Sequence, residues 1–146
     1  MANDIEKMIK KWVAAMNSHD LDKTVSFYTD DCVLEDNGLG IVCRNKKELK
    51  AFCKRSFTDF PDLRFESNSL HKAGDWVTWE WTMTGTHAHS SNPAIPATGK
   101  RFSVKGASII EIHDGGIRRE TDYYNALTAM QQLGVIRSKP SEFINP

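Results

Sequence analysis

The hydrophobic period of this chain changes near Phe60-Pro61, and that change fixes the class of fold. Before it, Ile5, Met8, Ile9, Trp12, Val13 and Met16 recur at helical spacing and form one buried stripe. Beyond it the period is two. From Trp76 to about His87, Val77, Trp79, Trp81, Met83 and His87 share one face, and Thr78, Glu80, Thr82, Thr84 and Thr86 share the other. Phe102, Val104, Ser108, Ile110 and Ile112 then alternate inward. Helices grouped ahead of an antiparallel meander imply an α+β fold rather than an alternating α/β one.

Local signals place the boundaries. Asn3 with Glu6 resembles a capping box, and the first helix should stop near Asn17-Ser18-His19. A short second helix, started by Asp20 or a neighbour, should carry Leu21, Val25 and Tyr28 inward. The strand-like run Cys32–Glu35 ends at Asp36, just before an Asn37-Gly38 turn and an irregular Gly38–Val42 segment. Asn45 and Glu48 repeat the capping pattern ahead of a helix with Leu49, Phe52 and Cys53 on one side. Leu63 and Phe65 open a strand to about His71, and Ala73-Gly74-Asp75 turns the chain. Pro93 and Pro96 make His89–Gly99 a long loop. The last strand runs from Ile117 to about Asn125, followed by a helix from Ala126 to Leu133 closed by Gly134. A curved sheet wrapped around the first helix leaves a cone with one open end, where a small-molecule pocket would form.

A chain of 146 residues is long enough for one domain, residues 1–146, with a sizeable core. Nineteen basic residues balance nineteen acidic ones, so no positive excess exists to neutralise a nucleic-acid backbone. Cys32, Cys43 and Cys53 are an odd set without CxxC spacing, which reads as small buried hydrophobes in a reducing compartment. His87-Ala88-His89 has no third ligand at a telling spacing, so no metal is expected. The amphipathic, acid-containing start is unlike a signal peptide, and no apolar run approaches membrane-spanning length. A cytosolic protein is expected.

Asp36 is the first candidate for chemistry. A carboxylate ending a short apolar strand can stand at the mouth of a pocket, where desolvation raises its pKa toward the range of a general base. The plainer reading is that it starts the turn. For the last strand two phases stay open: Arg118, Glu120, Asp122 and Tyr124 inward, or Ile117, Thr121, Tyr123 and Asn125 inward with Asp122 solvated. His87 shares the inner face with Trp79 and Trp81, as a proton shuttle or as a structural histidine. His19, His71 and His113, at helix ends or turns, read as solvated. Trp79 and Trp81 supply flat apolar walls suited to a ring-shaped ligand, and Tyr28 could donate a hydrogen bond into the pocket.

The run MIKKWVAAMNSHDLDKTVSFYTDDCVLEDNGLG, Met8 to Gly40, resembles the N-terminal third of bacterial ketosteroid isomerases. The tail TDYYNALTAMQQLGVI, with TGTHAH and a later TGK, is similar to SnoaL-like polyketide cyclases. Both groups belong to the nuclear transport factor 2-like superfamily, whose fold is the cone described above (a cystatin-like roll), and the resemblance covers about residues 5 to 136. It implies that Asp36 falls on the isomerase's proton-shuttling aspartate. Trp12 falls where that family keeps an oxyanion-donating tyrosine, and Ser108 near its partner carboxylic acid. Indole N–H and hydroxyl could still donate. In the cyclases an aspartate near the end of the final strand acts in the pocket, and Asp122 is the carboxylate closest to it; the acid often found three residues later is Asn125 here. Related epoxide hydrolases need an Arg and an Asp on the central strand, where this chain has Trp79, Glu80, Trp81 and Met83.

Together these readings imply a cofactor-free acid–base enzyme, an isomerase or aldol-type cyclase. Its substrate would be a small hydrophobic carbonyl-bearing ring compound. Asp36, Asp122 and His87 would be catalytic, and Trp12, Tyr28, Trp79, Trp81 and Ser108 would bind substrate. A homodimer through the sheet is expected. The alternatives are a domain that binds a hydrophobic metabolite without turning it over, and a dimerisation module with a filled cone.

Overall fold

Helix α1 (Ala2–Asn17) lays Ile9, Trp12, Val13 and Ala15 into the core, as the stripe requires. The structure, a computed structural model, describes residues 2–137 and 140–144. Helix α1 already includes Asn3, expected as its cap, and that side chain lies outside the described residues. At the other end Asn17 clasps strand β3 (Arg64–Ala73): its Nδ2 donates to the Phe65 carbonyl at 2.9 Å and its Oδ1 accepts from the Phe65 N–H at 2.8 Å. The two backbone groups that Phe65 turns outward on this edge strand are thereby satisfied. His19, expected to be solvated, is half-buried: its ring stacks on Phe57 at 4.4 Å and Nε2 lies 2.8 Å from the Leu63 carbonyl.

Helix α2 (Leu21–Ser26) is capped by Asp20, which accepts from the Lys23 N–H at 3.1 Å. Tyr28 is not on this helix but begins β1 (Tyr28–Asp36), and strand alternation turns its ring inward. After the turn, β2 (Ile41–Cys43) pairs with β1, so the segment read as irregular contains a short edge strand. Helix α3 (Lys46–Asp59) carries the expected reciprocal cap: Asn45 accepts from Glu48 N–H at 2.9 Å, and the Glu48 carboxylate accepts from Arg44 N–H at 2.8 Å. Strands β4 (Trp76–Thr86), β5 (Arg101–His113) and β6 (Gly116–Tyr124) form the meander, and α4 (Ala126–Gln132) follows with Asn125 as its cap. Among the described residues no helix is long and apolar enough to cross a membrane.

The six strands make one curved sheet in the order β2-β1-β6-β5-β4-β3. All its pairings are antiparallel except that of β1 with β6, which is parallel. The registers set Asp36, Asp122, Ser108 and Trp79 in one row across four strands; Leu34, Glu120, Ile110 and Val77 form the next. A register shift between Glu111 and Ile112 interrupts the alternation of β6. Ile117 is therefore buried one way, while Glu120, Asp122 and Tyr124 reach the concave face. The helices cover that face, and the outer face exposes Trp76, Ile109 and Tyr123.

Gly106, opposite Trp81 on the neighbouring strand, is the floor on which the indole ring lies; a Cβ there would overlap the ring itself. The alanine variant must push the indole off its seat, and overpacking of this kind costs about 1–3 kcal/mol. Gly106→Ala is expected to lower the unfolding free energy by that amount, read as a lower urea midpoint at unchanged m-value. An unchanged midpoint would mean that the indole does not rest there.

Candidate active site

Between the concave face, α3 and α4 lies a cavity of about 380 Å³. Its walls are mostly apolar: Phe52, Phe60, Phe65, Trp79, Trp81, Met83 and Leu133 contribute, and Ile95 reaches in from the 88–100 loop. At one end stand three acids, Asp36, Glu120 and Asp122, with Tyr28, Ser108 and Tyr124 beside them. No lysine or arginine lies among the described lining residues. Like charges gathered without a cation in a desolvated place cannot all stay ionised.

The hydrogen bonds show how the cluster is held. Trp81 Nε1 donates to Ser108 Oγ at 2.9 Å, and Ser108 Oγ donates to Asp122 Oδ1 at 2.6 Å. Because Gly106 seats the indole, the relay has one geometry. Tyr28 Oη donates to Glu120 Oε2 at 2.8 Å. Asp36 is saturated differently: Oδ1 accepts from the Leu39 N–H at 2.8 Å and Oδ2 from Tyr124 Oη at 3.1 Å. Gly38 makes room for that tyrosine, since a Cβ there would overlap the Tyr124 ring. Asp36 thus anchors the turn and faces the cavity at once, joining both readings of its sequence context.

Burial pushes the Asp122 carboxyl up to about 7; the Ser108 hydrogen bond opposes this, the Asp36 charge adds to it, and a hydrogen bond with Glu120 opposes it. Glu120 is raised well above the usual carboxylate range, first by burial and then by the charge of Asp122. Asp36 is raised by burial and pulled back by the N–H groups of Leu39 and Gly38 and by Tyr124. Burial likewise lifts the Cys53 thiol to about 12, which leaves it a neutral apolar wall.

The other expected residues divide. Tyr28, Trp79, Trp81 and Ser108 line the cavity. Trp12 does not: it is fully buried behind Trp79, edge-on at 5.2 Å, with its indole N–H unpartnered. His87 lines the cavity far from the acids, roughly 25 Å of strand beyond Trp79. It stacks on Phe60 at 5.4 Å, and its Nδ1 accepts from the Thr98 N–H at 3.4 Å, so it pins the base of the long loop. Glu120 and Tyr124 belong to the cluster but were not singled out by sequence reasoning. Their signal was the polar phase of β6, and Ser108 opposite Asp122 could have selected it. Among the described residues no three His, Cys, Asp or Glu are placed to hold a metal ion. A second cleft of about 940 Å³, lined by Lys7, Lys11, Asp31 and His113, opens on the outside between α1 and the β5–β6 turn.

A carboxyl with a native pKa above its unfolded value binds its proton more tightly when folded. That stabilisation is complete below about pH 4 and is lost as pH rises through about 7 for Asp122. Urea unfolding of the wild type should therefore show falling stability from about pH 4 to pH 8, and Asp122→Asn should flatten the fall. Parallel profiles for the two proteins would contradict the burial of this acid.

The fold has close counterparts. A protein from Catenulispora acidiphila described as having a ketosteroid isomerase-like fold superposes with a TM-score of 0.75 at 19% identity, over 87% of this chain and 92% of that one. AclR from Streptomyces galilaeus gives 0.81 at 23% identity, over 99% and 89%. By sequence, the chain is 28% identical over 134 residues to the aklanonic acid methyl ester cyclase DnrD of Streptomyces peucetius, covering 87% of this chain and 88% of that protein. Residues 6–133 match the family model of the SnoaL-like polyketide cyclases, and the chain belongs to that family.

Proposed function

We propose that this protein closes a ring by an intramolecular aldol reaction on a hydrophobic, carbonyl-bearing substrate, with Asp122 as the base and no cofactor. The observation that carries this reading is the Asp122 carboxyl. It borders an apolar cavity, is oriented by the Trp81–Ser108 relay, and is raised to about 7. A base of that strength is half ionised at neutral pH and still strong enough to take a proton from carbon beside a carbonyl.

The chemistry follows from the walls. Aromatic faces of Trp81, Trp79 and Phe65 hold flat rings with little loss of freedom. Ser108 holds Oδ1 of Asp122 and orients the carboxylate toward the cavity, where it also bonds to Glu120. Abstraction gives an enolate, the enolate carbon attacks a second carbonyl of the same molecule, and the alkoxide takes a proton. Product and substrate are isomers. Asp36, with both oxygens engaged, orients Tyr124 and adds negative charge that keeps Asp122 basic. The strongly raised acids favour this reading over a pocket that only binds, because a passive apolar site has no use for them.

Aklanonic acid methyl ester is the probe, chosen from the relative's name. A product of unchanged mass should accumulate. The wild-type kcat/KM should rise with pH through a midpoint near 7, where Asp122 loses its proton. Asp122→Asn should lower kcat by about a hundredfold or more, and Asp36→Asn by less. An Asp122→Asn protein as fast as wild type would overturn the reading.

A further inference from the structure

An aldol closure needs two proton operations on two different substrate atoms, and a single carboxylate would have to serve both. The structure offers a second group. Glu120 is one register row from Asp122 on the same face of β6, is 4% exposed, and lines the cavity. Its Oε2 accepts from Tyr28 Oη at 2.8 Å. The titratable groups facing it are Tyr28 and Asp36 from β1, Cys53 from α3 and Asp122 on its own strand; its neighbour on β5 is Ile110. None of these is cationic at neutral pH. Two adjacent carboxylates would meet there without a counter-charge, so one proton must stay in the pair. Tyr28 occupies one Glu120 oxygen as donor, and Glu120 is also hydrogen-bonded to Asp122.

We propose that Glu120 and Asp122 hold one proton between them, Glu120 as the resident acid and Asp122 as the resident base, so that separate groups serve the substrate's oxygen and its carbon. The substrate step rests on the aldol reading above. Asp122 takes the proton from carbon, the enolate forms the new carbon–carbon bond, and the carbonyl oxygen becomes an alkoxide as its π bond breaks. That alkoxide takes the proton of Glu120. The proton on Asp122 then crosses to Glu120 and restores the starting state. One C–H and one C=O have become one C–C and one O–H, with no proton gained or lost by the protein. Tyr28 is a positioning residue in this scheme, since it holds Glu120 without touching the reacting atoms.

The pair is tested without any substrate by carbon-13 NMR titration of the side-chain carboxyls in the full chain. Glu120 should keep its proton through the range, near 7, in which Asp122 titrates. In Asp122→Asn the Glu120 midpoint should fall, because the charge that opposed its ionisation is gone. A Glu120 ionised at pH 7 in the wild type, or a midpoint indifferent to Asp122→Asn, would overturn the proposal. With aklanonic acid methyl ester, Glu120→Gln should lose about tenfold or more in kcat and keep the rising limb near pH 7 that belongs to Asp122. Full activity in Glu120→Gln would remove the acid role. If the wild type leaves this probe unchanged, the cyclase reading loses its support while the titration still decides the shared proton.

Discussion

The parallel pairing of β1 with β6 is the constraint on which the site depends. In a sheet otherwise antiparallel, it brings the end of the first strand beside the end of the last. Asp36 and Asp122, 86 positions apart in the chain, become register partners, and Leu34 comes opposite Glu120. Neither strand alone could build a carboxyl cluster. The helices then cover the concave face and shield it from bulk solvent, so proximity in register becomes a shift in acidity.

Such a cluster is costly to bury, and the surrounding polar groups offset the cost one oxygen at a time. Leu39 and Tyr124 serve Asp36, Ser108 serves Asp122, and Tyr28 serves Glu120. Two glycines make this possible by absence of side chain: Gly106 under Trp81 and Gly38 under Tyr124. What the donors do not neutralise is left as raised proton affinity, which is the property an acid–base site uses.

Much of this was legible in the sequence where one physical signal dominated. The change of period gave the α+β class, and the alternation of Trp79, Trp81, Phe102 and Val104 gave the inner face of β4 and β5, because large apolar side chains leave no doubt about which way they point. The resemblance from residue 5 to 136 nearly coincides with the family match from 6 to 133. The capping residues Asp20 and Asn45 were readable for the same local reason. Less was legible where competing signals cancelled. Arg118 and Arg119 interrupt β6 just where a bulge shifts its partner, so the phase placing Glu120 and Tyr124 inward could not be chosen from that strand alone. Tyr28 sits at a helix-to-strand junction, where a helical and an extended chain both direct it inward. Trp12 has the apolar pattern of a wall residue, yet Trp79 stands between it and the cavity, a layering no one-dimensional pattern contains.

A working site of this kind must hold a flat ring in the inner cavity with its oxygen at the acids. The most direct measurement is a crystal structure of the full chain soaked with 2-naphthol, a fused-ring phenol whose oxygen imitates an enolate. The rings are expected against Trp81, with the phenol oxygen within hydrogen-bond reach of Asp122 or Glu120. Naphthol found only in the outer cleft beside Lys7 and His113, or in the cavity with its oxygen turned toward His87, would contradict it.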